Sequence, residues 1–154
     1  MGKYPHFSCD DEIVSIGRGL LDRTLPKPMW THAAHLAAAV WIITSRPDLD
    51  AGAALPAAIR AYNESTGVAN TDSGGYHETI TQASLHAVRA FAERHSGARL
   101  HEVCNALLDS PLGSPDWLLD YWSRSVLFSV AARKAWVDPD LRELPGGDDR
   151  LRPR

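Results

Sequence analysis

Apolar residues recur along this chain at helical spacing, three and four apart, rather than in the alternation of a half-buried strand. Ile13, Ile16, Leu20 and Leu21 form one stripe behind Asp10, Asp11 and Glu12, and acid in a first turn complements the helix dipole. The spacing predicts a helix over 10–22. Pro26 and Pro28 then interrupt the chain, and Thr31 is a cap residue for a second helix reaching about Ser45 with Leu36, Val40, Trp41 and Ile43 along it. Pro47 ends that helix. A third is expected from just after Asp50 to about Asn63, carrying Leu55, Ile59 and Tyr62.

Residues 65–75 (STGVANTDSGG) contain three glycines among small polar residues and have the composition of a loop. A long fourth helix is expected from about Tyr76 to His95, with Ile80, Leu85, Val88 and Phe91 inward and Gly97 as its stop, and a fifth from His101 to Leu108. Ser114-Pro115-Asp116 reads as a cap followed by proline at the first helical position. The sixth helix it opens should run past Trp122 and break near Ser123–Ser125, before a seventh piece ending at Trp136. No internal repeat and no strand pattern is present. The expected fold is all-α, a single-domain bundle of about six or seven helices over 1–144. Pro139, Pro145, Gly146 and Gly147 mark an extended C-terminal tail, with 145–154 expected to be flexible.

Length and composition narrow the functional classes. With 154 residues, 44% hydrophobic and 23% charged, the chain suits one globular domain. Sixteen Lys plus Arg against nineteen Asp plus Glu give a net charge of −3, so a nucleic-acid backbone is a poor partner. Cys9 and Cys104 lie in neither a disulfide framework nor a metal-type spacing. His101 stands one helical turn before Cys104, and the simplest reading of that cysteine is a small half-buried helix residue. The N-terminal segment lacks the apolar stretch of a leader, and the run from Ala33 to Thr44 is too short to span a bilayer. A soluble, cytoplasmic protein without a membrane partner is therefore expected. A homodimer is one assembly open to a small helical domain with exposed tryptophans.

The seven histidines supply the candidate chemistry. His32 and His35 stand about 60° apart on one turn at a helix start, where the positive end of the dipole favours the neutral imidazole that a metal requires. Alone, each is an ordinary boundary residue. A second cluster occupies Gly74-Gly75-Tyr76-His77-Glu78, where a glycine-rich loop enters a helix whose first amides could hold an anion. His77-Glu78 matches the first half of the HExxH motif, but position 81 is Thr, so that zinc-protease reading fails. Joining the clusters gives His32, His35 and His77 as three ligands of one divalent metal (zinc, iron or manganese) with an open position. Glu78 would be a fourth ligand or the general acid/base beside a bound water, and otherwise a first-turn carboxylate facing the dipole. Trp30 could wall a pocket, while Tyr62, Asn70 and Tyr76 could orient a polar substrate. Asn63 and Thr71 offer similar groups, and such residues also close turns. His86 could stand behind Glu78 or lie at the surface, and His6, His95 and His101 read as surface residues.

Trp30 to Leu36 (WTHAAHL), Tyr62-Asn63, Gly67 to Thr71 (GVANT) and Gly75 to Thr81 (GYHETIT) resemble an uncharacterised family of small bacterial helical proteins. The likeness covers about Trp30 to Leu85 and, more loosely, Ser129 to Pro139. Histidines matching His32 and His35 and the block matching Tyr76 to Thr81 belong to that pattern; His86 does not. The resemblance implies that the three histidines and Glu78 act as one unit, and it names no substrate.

Two functional classes follow. The first is a metal-dependent enzyme acting on a small polar molecule by hydrolysis, by lyase or isomerase chemistry, or, with iron, by oxygen chemistry. The alternative is a non-catalytic helical binding or partner-docking module in which the histidines and Glu78 form a buried hydrogen-bonded network. Metal-free acid/base catalysis by a His/Glu pair is a third reading.

Overall fold

Cap residues mark out the first half of the molecule. Thr31 accepts a hydrogen bond from the backbone of Ala34 and Asp50 accepts one from Gly52, each satisfying an amide that the first turn leaves free. In the computed structural model, which describes residues 5–145, the helices are α1 (Asp10–Asp22), α2 (His32–Ser45), α3 (Ala51–Ser65), α4 (Glu78–Arg94), α5 (Leu100–Asp109), α6 (Arg124–Leu127) and α7 (Val130–Lys134). Short 3₁₀ turns cover Lys27–Met29, Pro111–Gly113 and Trp117–Asp120. The described residues contain no strand, and the fold is the all-α bundle that the periodicity predicts. The expected flexible tail, apart from Pro145, lies outside the described residues.

α2 is the central element. Ala34 and every residue from Leu36 to Ile42 are buried, and α2 meets α1, α3, α4 and α5. A helix that is apolar nearly all round belongs inside, and its alanines let the neighbours approach closely. Gly17 of α1 carries the same logic further: a Cβ there would lie 2.1 Å from the Trp41 ring, far inside contact distance. The main core joins α1 to α5 through Ile13, Leu20, Val40, Leu85 and Leu107.

A second, smaller core forms beneath the C-terminal third from Ala83, Trp117, Leu118, Trp122, Leu127 and Leu144. Here the sequence expectation and the structure part. The sixth helix is only a 3₁₀ turn over Trp117–Asp120, and two short helices follow, capped by Ser123 and Ser129 through the amides of Val126 and Ala132. Trp122 is fully buried and its indole N–H donates to Val137 O at 2.9 Å. That bond satisfies the one polar group of a large apolar side chain, so Trp122 draws the extended segment after α7 over the base of α4.

None of the tryptophans is exposed; among the described residues the large exposed apolar side chains are Met29, Phe128, Val130 and Leu141. Cys104 is buried in the main core, and burial pushes its thiol up to about 12. No helix among the described residues is long and apolar enough to cross a membrane.

Candidate functional site

α4 begins at Glu78, two residues later than its pattern suggests, because His77 serves as the N-cap. Its Nδ1 accepts the backbone N–H of Ile80 at 3.2 Å. A ring nitrogen that accepts carries no proton, so the proton of a neutral ring sits on Nε2. Nε2 faces the carbonyl of Leu127 at 2.7 Å and donates to it. Both nitrogens are therefore spent inside the protein. Burial holds the His77 pKa below the usual range, and the nearby Arg133 guanidinium adds to that; the Leu127 bond opposes it.

The bonds around His77 seal the start of α4. Thr79 Oγ1 donates to Ala135 O at 2.9 Å and accepts Val137 N at 3.2 Å, while Arg133 donates to Gly75 O and Tyr76 O. The helix start that the sequence offers as an anion site is a joint, covered by α7 and the strand-like stretch after it. The histidine acceptor, rather than a ligand, takes one of the first-turn amides.

Glu78, the first residue of α4, is half-buried. Its Oε1 accepts the Tyr76 hydroxyl at 2.7 Å and the Gln82 amide at 3.0 Å. Burial raises the Tyr76 phenol pKa, with the Glu78 bond acting in the same direction, so the phenol stays a donor. Arg60 lies over the Tyr76 ring, 4.4 Å from its centroid, in cation–π range.

Gln82 has a second task. Pro56 sits inside α3 and has no N–H for the carbonyl of Gly52, four residues earlier. Gln82 Nε2 donates to that carbonyl at 3.1 Å. The carboxylate network is thus tied to a defect in the neighbouring helix.

His32 and His35 lie on α2 as their spacing implies, but they turn to different partners. His32 Nε2 donates to Leu112 O at 3.0 Å. His35 Nδ1 donates to Thr31 O at 2.7 Å, and its ring lies 3.8 Å from that of Trp30. Desolvation pulls the His35 pKa down to about 4, the Thr31 bond opposing it and the neighbouring His32 adding to it, although the side chain is exposed. Trp30 also meets Tyr62 edge-on at 5.5 Å. Tyr62 is buried and donates to Leu25 O at 2.8 Å.

Asn70 folds the loop before α4. Its amide donates to Arg60 O at 3.1 Å, and its oxygen accepts from Asn63 and from the backbone of Tyr76. Thr71 accepts from Gly74 N at 3.1 Å, closing the same loop. Gly75 allows the closure: its φ is +78°, and a Cβ would lie 2.5 Å from Ala69 O.

The residues expected to ligate one metal are not assembled. Among the described residues, no group of three or more His, Cys, Asp or Glu side chains is placed to hold an ion. His77, with both nitrogens bonded, does not fit as a ligand in this arrangement. Tyr76 and Glu78 do come together, whereas Tyr62 and Asn70 hold structure. Gln82 and Arg133 join the network without having been singled out as functional residues, although a proline inside a helical pattern signals an orphan carbonyl nearby.

Of the remaining histidines, His6 is exposed and meets Asp109. His86, His95 and His101 are half-buried with partners in Pro145, Phe91 and Asp10. No family model, curated protein or solved structure matches the chain.

Proposed function

We propose that this protein is a helical binding module in which His77 and Glu78 form a structural joint. The observation that carries this reading is the engagement of both His77 nitrogens, one capping α4 and one holding α6. A ligand to a metal needs a free lone pair, and His77 could offer one only by giving up its cap. The Tyr76–Glu78–Gln82 chain extends the joint to α3, where a half-buried carbonyl would otherwise lack its intrahelical donor.

A divalent-metal enzyme is the competing reading, and one observation favours it. His32 Nδ1, His35 Nε2 and Glu78 Oε2 have no hydrogen-bond partner among the described residues. Each of these groups is chemically able to ligate zinc, iron or manganese, although the three are not gathered around one point here. A metal would supply Lewis-acid or bound-water chemistry on a small polar molecule. Metal analysis of untagged protein separates the readings. The binding module predicts no stoichiometric metal after dialysis and no rise in melting temperature with zinc, iron(II) or manganese. One metal per chain that disappears in His32→Ala and His35→Ala would replace it with the metalloenzyme.

A further inference from the structure

On the far half of α4, away from the joint, a cleft of about 510 Å³ opens between that helix, the Pro111–Gly113 and Trp117–Asp120 turns, and Leu144. Small-molecule sites run from about 300 to 1,000 Å³ and combine an apolar lining with few polar groups. This cleft fits that description. Phe91, Leu112, Trp117, Tyr121 and Leu144 supply its apolar side, and Trp117 meets Tyr121 edge-on at 6.0 Å.

The polar groups are unevenly distributed. Arg94, in the last turn of α4, lines the cleft with its guanidinium carbon 5.6 Å from the Phe91 ring centroid. It makes no ion pair among the described residues. A guanidinium beside an aromatic wall suits an anionic head group attached to an aromatic body, because it can bond a carboxylate or sulfonate in bidentate fashion. Asp120 also lines the cleft, so a second anionic group on the ligand meets repulsion. His86 donates to Pro145 O at 3.1 Å and holds the rim together.

We infer that this cleft binds a small amphipathic molecule with an aromatic body and one anionic head group, seated against Phe91 and Trp117 with the head at Arg94. The inference rests on the binding-module reading and gives it a ligand class. The cleft is separate from His77 and Glu78, neither of which lines it.

The test uses the full chain and two probes of that class, 8-anilinonaphthalene-1-sulfonate and 2-naphthoate. Each is titrated by calorimetry, with the Trp117 indole N–H followed by NMR. Saturable binding of one molecule per chain is expected, with a shift of the Trp117 signal. Arg94→Gln should weaken binding about tenfold, the scale of one lost charge-assisted hydrogen bond. Ala90→Phe, which fills the cleft from its half-buried α4 wall, should abolish it. Arg46→Gln, a cation outside the cleft, should leave it unchanged, and circular dichroism of each variant checks that it folds. No saturable binding of either probe overturns the inference, as does binding that Arg94→Gln and a folded Ala90→Phe both leave intact. Failure here is distinguishable from failure of the binding-module reading, which shows as one retained metal per chain whatever the probes do.

Discussion

His77 is bonded through both ring nitrogens, and its protonation state carries a prediction. Burial lowers its pKa in the folded protein below the ~6.5 of an unfolded chain. Between those two values the unfolded state binds a proton that the native ring refuses, so stability rises with pH there. The stability is fully present above about pH 7 and is lost as pH falls through ~6.5 toward the folded value. Desolvation lowers the His35 pKa in the same sense, but that side chain is exposed, so water screens its share and His77 dominates the pH dependence. Urea midpoints should therefore be level between pH 7 and 8 and fall below pH 6.5. The fall should be shallower in His77→Asn; equal slopes in the two proteins would contradict this assignment. At pH 7.5, His77→Ala should cost about 1–3 kcal/mol through the lost cap and the orphaned Leu127 carbonyl. His77→Asn, which keeps a capping oxygen, should cost less.

Residue types alone could find His77 but not its task. Histidine is rare among capping residues, so a His-Glu pair at a helix start reads as metal chemistry before it reads as a cap. Its second partner, Leu127, lies fifty residues away, a separation that no local pattern encodes. His32 and His35 were legible as neighbours on one helix. Which way each ring turns depends on Leu112 and Trp30, and therefore on the tertiary fold.

At the scale of elements, α3 and α4 are linked by a defect and its repair. Pro56 leaves Gly52 O without its intrahelical donor, and Gln82 supplies one from the neighbouring helix. Gln82→Met should destabilise the protein by about 1 kcal/mol, the net worth of a hydrogen bond to a half-buried carbonyl. Pro56→Ala restores an N–H where Gly52 O needs one, so the double variant should recover a good part of that loss. Chemical denaturation of the four proteins in this cycle measures the coupling; strictly additive effects would break the proposed link. The loop before α4 makes a simpler prediction. Gly75→Ala should cost more than about 1 kcal/mol, read as a lower urea midpoint, because its positive φ and the nearby Ala69 carbonyl leave no room for a methyl group.

Where elements were legible, the reason is local. The acidic start of α1, the Thr31 and Asp50 caps and Pro47 bound helices long enough for the periodicity to speak clearly. The C-terminal third was harder because its helices are four and five residues long, too short to show a stripe. There the serine caps carry the signal, and the tryptophans read equally well as a longer helix.

At the scale of the whole molecule, two cores meet along α4. The main core covers the face of α4 that carries Leu85, Val88 and Phe91, and the smaller one receives Ala83 together with Trp117, Trp122 and Leu127. The His77 joint stands at one end of this seam and the Arg94 cleft toward the other. An all-α arrangement follows from periodicity, whereas a two-core architecture does not, since it depends on chain segments after residue 110 folding back over α4. Trp122→Phe should lose the bond to Val137 O and leave a cavity where the second ring of the fully buried indole was. A loss of about 2–4 kcal/mol with unchanged helical content is expected, measured by thermal melting and circular dichroism.

The central claim is that His77 is a structural strut and not a metal ligand. The most direct test is a long-range ¹H–¹⁵N correlation spectrum of the imidazoles at pH 7.5, recorded before and after one equivalent of zinc. The account predicts a neutral His77 ring protonated at Nε2, with both nitrogen shifts unchanged by the metal. Loss of the Nε2 proton, or a zinc-induced shift of either His77 nitrogen into the range of a coordinated imidazole, would contradict it.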